Sequence, residues 1–315
     1  MIHFTDREVE GVLQDDAVLV ALRQAFVDFS RGNAAMQPRL RTDCGAVKLS
    51  TLGAVLPGSG YAGVKVYTTI AGKFNFVIVL FSARDGTALA SFDAGAITRW
   101  RTAAVSLLAA GYGARPEASK LALFGTGVQA CTHLQLFARA YQLKSVDIVS
   151  RSSGQGLAAL ARQLGLQVRV CEAQNALRDA DIVVTATRAV APLFDGTWVA
   201  PGTFVVAVGS SKPDTRELDD ALLRRTSAIM VEWREQALLE AGDLLLAAPD
   251  ALATKPFIEL GDALDERAQV RHSDEDIVVF KSVGIGLEDI AIAGLAYERL
   301  LPGTQVAKRQ HEPSL

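Results

Sequence analysis

The chain is short of several things that would settle its class at once. It has only three cysteines in 315 residues, Cys44, Cys131 and Cys171. They are odd in number, widely spaced and without a C-x-x-C pair, which argues against a disulfide framework or a zinc ribbon and suits reduced thiols of the cytoplasm. Histidine is nearly as scarce, and His3, His133, His272 and His311 show no metal-ligand spacing, so no metal is expected. Neither sign of charge dominates. The 32 basic and 35 acidic side chains leave a net charge of −3 and a pI near 5.9, without the basic surplus of a nucleic-acid binder. Long apolar runs are missing too: the most apolar stretch of the N-terminal third, residues 102–114, falls short of the ~18 residues a membrane span requires. Residues 1–8 lack a basic segment followed by an apolar one, so no secretory leader is expected.

What is present is an ordinary globular composition, 50% hydrophobic and 21% charged. At roughly 150 residues per domain the length allows two domains. The first part reads as a helix over residues 15–29 followed by strand-like runs at 46–52, 63–69 and 76–82, broken by Pro57-Gly58-Ser59-Gly60, Ala71-Gly72 and Arg84-Asp85-Gly86-Thr87. The Asp-Gly pair between apolar runs is a hairpin signal. An antiparallel sheet is expected, left by a helix over residues 94–111. From residue 120 onward, short apolar runs alternate with helical stretches, at 121–124, 146–149, 168–170, 182–185, 204–208, 229–231 and 277–280. That rhythm predicts βαβ units and a parallel, doubly wound sheet buried on both faces. A closing helix is expected over 287–301, and residues 305–315 read as a polar tail.

The run Leu121-Ala122-Leu123-Phe124 leads directly into Gly125-Thr126-Gly127-Val128-Gln129-Ala130, a G-x-G-x-x-A loop between a buried strand and a helix. Gly125 permits the tight turn, Gly127 admits a pyrophosphate to the backbone, and Ala130 lets the helix pack close to the sheet. The free N–H groups and the dipole of the helix N-terminus complete an anion site. Dinucleotide binding is therefore expected of Gly125, Thr126, Gly127, Val128 and Gln129. The choice of dinucleotide is read at the end of the next strand. There Asp147 stands too early to reach a ribose, and Ser150-Arg151-Ser152 offers a cation flanked by hydroxyls, which suits a 2′-phosphate. NADPH is expected, with NADH the alternative.

Several separated segments resemble one family, that of ornithine cyclodeaminase and mu-crystallin, which also contains alanine dehydrogenases and reductases of cyclic ketimines. They are Gly63-Val64-Lys65-Val66, Ile97-Thr98-Arg99-Trp100-Arg101-Thr102-Ala103-Ala104, the Gly125 loop, the run from Ala207 through Lys212-Pro213-Asp214 to Leu218, and Val279-Phe280-Lys281-Ser282-Val283-Gly284 through Asp289. The resemblance implies a Rossmann-type dinucleotide domain over 115–289 and an α+β substrate-binding and dimerisation domain built from 1–114 and 290–315. It also implies roles. Arg41 and Lys65 would hold a substrate carboxylate, with Arg101 and Thr102 at that carboxylate or at the cofactor phosphates. Thr187, Val208, Gly209 and Ser282 would line the cofactor. From pattern alone, Lys65 reads as an outward residue with Val64 and Val66 on the core face; Arg39, two positions before Arg41, could take its place; and Ser282 could equally be a helix N-cap.

One departure decides between activities. Family members that cyclise ornithine or deaminate alanine carry an aspartate after the Val-Gly pair; here the matching residue is Ser211, and Asp214 lies beyond a proline. Residues 46–52, where cyclodeaminases place a glutamate, contain no acid. Cyclodeamination needs a base, whereas imine reduction needs a bound carboxylate, a protonated C=N and a hydride. The expectation is an NAD(P)H-dependent reductase of a small cyclic imino acid, with Lys65 and Ser211 catalytic and a homodimeric assembly. Ornithine cyclodeaminase and a non-catalytic NADPH-binding carrier are the alternatives. His133 reads as a packing or solvated residue, Cys131 as a buried small side chain, and Glu288-Asp289 as an acidic pair stabilised by a helix dipole.

Overall fold

A computed structural model of the protein describes residues 1–13 and 16–301. The expected polar tail at 305–315, His311 with it, and the first residue of the helix expected over 15–29 lie outside the described residues. The chain divides into two compact units, one of Met1–Arg101 together with the chain from Ile285 onward, the other of Thr102–Gly284.

The first unit holds a seven-stranded sheet: β1 (Ile2–Phe4), β2 (Ala35–Met36), β3 (Leu40–Cys44), β4 (Val47–Leu56), β5 (Tyr61–Ile70), β6 (Lys73–Ser82) and β7 (Ala88–Asp93). The order is β1-β7-β6-β5-β4-β2, with β3 also on β4. The three long strands are the expected antiparallel meander, and the 83–87 turn joins β6 to β7. β1 makes the sheet mixed, because it pairs with β7 in parallel. Helices α1 (Asp6–Val12) and α2 (Ala17–Ser30) fall in this unit with the helix Gly286–Leu300, and α3 (Gly95–Gly113) begins in it.

Strand alternation puts Tyr61, Gly63, Lys65 and Tyr67 of β5 on one face with Leu52, Leu56, Ile78 and Leu80. The last helix, Gly286–Leu300, covers that face. It lies so close that a Cβ at Gly286 would stand 2.7 Å from the Gly53 carbonyl oxygen, a contact only glycine permits. This reverses the pattern reading of β5. Lys65 is 2% exposed under the helix, whereas Val64 and Val66 are half-buried on the opposite face. Alternation gave the right period, but the covering element comes from more than 200 positions away.

The second unit is a wholly parallel eight-stranded sheet of β8 (Lys120–Phe124), β9 (Ser145–Val149), β10 (Gln167–Val170), β11 (Ile182–Thr185), β12 (Phe204–Ala207), β13 (Ala228–Val231), β14 (Phe257–Glu259) and β15 (Val278–Lys281). The order β10-β9-β8-β11-β12-β15-β13-β14 is doubly wound. Seven of these strands follow the apolar runs; β14 is short and half-buried and carries no such run. The central strands are buried on both sides, which is why they read as continuous apolar runs. Strand order reverses between β8 and β11, and in such sheets ligands bind beyond the carboxyl ends at that point.

Candidate active site

Lys65 is the centre of the first unit's polar cluster. Its Nζ donates to Thr98 Oγ1 at 2.6 Å and to Asp289 Oδ1 at 3.0 Å, and sits 4.6 Å from the centroid of the Phe76 ring. Arg101 is 6% exposed; its Nη1 pairs with Glu288, and its Nε lies 3.4 Å from the same Asp289 Oδ1. Burial pulls the Lys65 ammonium down to about 8, against the opposing pull of Asp289, and the positive charges of Arg101 and Arg39 depress it further.

The two candidate arginines differ in place. Arg41 pairs in register with Ser50 and is exposed. Arg39 is half-buried, and its positive charge contributes, least of the named causes, to lowering Lys65.

In the second unit the Gly125 loop has the form its sequence implies. Gly125 has φ +103°, and a Cβ there would stand 2.6 Å from the Ala186 carbonyl oxygen. The loop thus turns tightly at β8 against the end of β11, across the point of strand reversal. Gly127 is the N-cap of α4 (Val128–Ala140), has nothing within 4 Å of its Cβ direction, and supplies no side chain to cap the helix. An open backbone cradle at a 13-residue helix's N-terminus fits a dinucleotide pyrophosphate. At the end of β9, Ser150 and Ser152 hydroxyls lie 2.9 Å apart and Ser152 reaches Thr126 Oγ1 at 3.2 Å, with Arg151 exposed between them. Asp147 is 1% exposed and is held by Arg169 at 2.6 and 2.7 Å and by Lys120 at 3.1 Å, so it is committed inside the sheet.

Four further residues shape the loops after β11, β12 and β15. Glu217, fully buried, accepts from Thr185 Oγ1, from Thr187 N and Oγ1 and from Gly209 N at 2.7–2.9 Å. Asp243 accepts from the Glu217 and Leu218 N–H groups and pairs with Lys281 at 2.9 Å. Lys281 Nζ also donates to the carbonyls of Ala207 and Ser210, holding the segment that ends in half-buried Ser211. Glu232 accepts from Ser282 Oγ at 2.5 Å and from the Val283 and Gly284 N–H groups. Ser282 is not a helix N-cap, since that position belongs to Ile285. Val208 and Gly209 close the end of β12, and Asp214 is exposed beyond Pro213.

Sequence reasoning missed Thr98, Glu288 and Asp289. A dipole suffices to explain an acidic pair on a solvated helix start, but here both carboxylates are fully buried against Arg101 and Lys65. A signal was available: the pair sits between Leu287 and Ile290 in a stretch that is otherwise apolar through Ala296, where a charge requires a partner. His133 is also fully buried, bonded to the Gln129 carbonyl at 2.8 Å and Ser106 Oγ at 2.9 Å, and burial lowers it to about 4. Cys131 is half-buried, and burial raises its thiol.

A model of the ornithine cyclodeaminase/mu-crystallin family matches residues 2–304. Ketimine reductase mu-crystallin of Mus musculus is 35% identical over 306 residues, covering 92% of this chain and 95% of its own. Delta(1)-pyrroline-2-carboxylate reductase of Bacillus cereus is 33% identical over 260 residues, 78% of this chain and 80% of its own. Among solved structures, a probable ornithine cyclodeaminase from Bordetella pertussis Tohama I superposes with TM-score 0.93 at 53% identity, over 95% of this chain and 97% of that one. Delta(1)-pyrroline-2-carboxylate reductase of Thermococcus litoralis, in complex with NADH and L-proline, gives 0.89 at 26% identity over 95% and 97%. An archaeal alanine dehydrogenase dimer with bound NAD gives 0.87 at 28% identity over 95% of both chains.

Proposed function

The chain belongs to the ornithine cyclodeaminase/mu-crystallin family, and from that premise we propose that it is an NAD(P)H-dependent reductase of a small cyclic imino acid, of the pyrroline-2-carboxylate or piperideine-2-carboxylate type, yielding a proline-type amino acid. The observation that carries this reading is the buried Lys65, its Nζ between Thr98 and Asp289 with Arg101 against the same carboxylate. Two buried cations suit a small carboxylate, and a buried lysine lowered to about 8 gives up a proton near neutral pH. The imino-acid and ketimine reductases among its relatives support the substrate class.

In this reading Arg39, Lys65 and Arg101 surround the carboxylate, Arg39 taking the part the resemblance gives to Arg41. Their charges orient the planar C=N and its α-carbon. The nicotinamide, when bound, supplies the hydride that makes the α-carbon a C–H centre. Lys65 gives the proton that the imine nitrogen gains, and returns to an ammonium from water. Ser211, held through the Ser210 carbonyl by Lys281, offers a hydroxyl where cyclodeaminating relatives would offer a carboxylate, and so provides no base for an intramolecular attack. We assign NADPH as the preferred cofactor, on Arg151 between two linked hydroxyls at the end of β9.

A homodimer belongs to the same proposal. The sheet face opposite the last helix carries Leu49, Val55 and Val77, each 40–47% exposed, beside half-buried Val64, Val66, Val79 and Phe81. A cavity of about 330 Å³ opens on it, lined by Met36, Val55, Ala62, Val64 and Phe81 among others. An apolar face of this kind calls for a partner, and the alanine dehydrogenase it resembles is a dimer. The three free thiols suit a reducing, cytoplasmic setting.

The test is a substrate panel. Pyrroline-2-carboxylate and piperideine-2-carboxylate, each with NADPH and NADH, should consume nicotinamide absorbance, with NADPH preferred. Ammonia release from ornithine with catalytic NAD, and no imine reduction, would replace this reading with the cyclodeaminase one.

A further inference from the structure

Lys65 Nζ meets two acceptors of different kinds. The Thr98 hydroxyl spends its own hydrogen on the Ala94 carbonyl at 2.6 Å, so toward Lys65 at 2.6 Å it can only accept. Asp289 Oδ1 is likewise an acceptor, at 3.0 Å, and Arg101 Nε lies 3.4 Å away on the same oxygen. A lysine ammonium has three N–H bonds and the neutral amine has two. Both forms must give two of them to Thr98 and Asp289. The fourth tetrahedral direction of the nitrogen, after the Cε bond and these two, is an N–H in one form and a lone pair in the other.

We infer that Thr98 and Asp289 form a two-acceptor clamp on Lys65, positioning residues that confine its proton transfer to one direction. The inference deepens the reductase reading and rests on it. The reaction then balances as follows: a Nζ–H bond breaks as an N–H bond forms on the imine, the C=N electron pair moves to nitrogen, and hydride from the reduced nicotinamide forms the new C–H bond. The imine is reduced and the nicotinamide oxidised, leaving Lys65 a neutral amine still held by both acceptors. The groups that act on Lys65 come from every element around it: Thr98 and Arg101 on α3, Asp289 on the last helix with Glu288 behind Arg101, Arg39 ahead of β3, and the Phe76 ring on β6. The clamp leaves the nitrogen free to change charge without losing its place, which a single acceptor on a flexible four-carbon stem would not ensure.

The experiment compares wild type with Thr98→Val, Thr98→Ser and Asp289→Asn, measuring kcat and KM for the imino acid from about pH 6 to about pH 10. Thr98→Val keeps the shape and removes the acceptor; kcat should fall by about 10²-fold with KM changed less than about threefold, and Thr98→Ser should restore most of the loss. Asp289→Asn should shift the alkaline limb of kcat to lower pH, because the anion that holds the proton on Lys65 is gone. Wild-type kcat in Thr98→Val, or a uniform loss at every pH with an unmoved limb in Asp289→Asn, overturns the clamp. If wild type reduces none of the imino acids, the reductase reading fails, and the clamp is read on the substrate-free protein. There the thermal midpoint should gain a rise with pH above about 8 that is absent in Lys65→Met and begins at lower pH in Asp289→Asn. Coincident wild-type and Asp289→Asn curves overturn it irrespective of substrate.

Discussion

Asp289 Oδ1 lies 3.0 Å from Lys65 Nζ although 224 positions separate the two residues. The contact is made inside a sheet face that the last helix covers, and both side chains are at most 3% exposed. It joins β5 to the last described helix. A buried charge is tolerated only when paired, and this pairing also determines what the lysine can do.

Removing the amine tests the role of Lys65 directly. Lys65→Met keeps the length and apolar stem while deleting the charge. Turnover of the imino acid should fall by at least about 10²-fold, while NADPH affinity, measured by fluorescence titration, stays within a few-fold of wild type.

The two arginines can be separated by kinetics. Arg39→Met should raise KM for the imino acid by roughly 10- to 100-fold, the cost of a charged hydrogen bond. Arg41→Met, at an exposed position, should change it by less than about threefold. The reverse order would return the carboxylate to Arg41.

On the NADPH proposal, cofactor choice is set at the end of β9. Arg151→Ala should weaken NADPH by about tenfold or more and leave NADH nearly unchanged, as read from KM values for the two reduced cofactors. An equal loss for both would make Arg151 a general phosphate contact.

Breaking the Arg101–Glu288 pair has a structural cost. Glu288→Gln leaves a buried guanidinium short of one anion and should destabilise the fold by about 3–5 kcal/mol, seen in urea unfolding.

His133 adds a pH dependence of its own. Its folded-state pKa is depressed from 6.5 to about 4, so between those values the unfolded chain binds the proton and the folded chain does not. Stability therefore falls as pH drops through this window, by about 3 kcal/mol in all. His133→Gln should lack that component in denaturant unfolding measured from about pH 7 to about pH 4.

Much of this protein was legible in its sequence, for physical reasons. Strands buried on both faces must be apolar throughout, so the runs from Leu121 to Phe280 announced the parallel sheet. Gly125 announced its tight turn, because backbone at φ +103° with a carbonyl oxygen 2.6 Å from the Cβ position allows no side chain. The serine at 211, where a carboxylate would be expected of a cyclodeaminase, is legible in the sequence alone, and the reductase proposal draws on it. What the linear chain did not determine was which face of a strand is inside. Alternation gives a period and no sign, so Lys65 read as outward until the last helix was in place, with Gly286 against Gly53. The same closure converted Glu288 and Asp289 from a helix-dipole pair into counterions. A charge's role depends on its neighbours and its burial, and both are made by contacts between residues far apart in the chain.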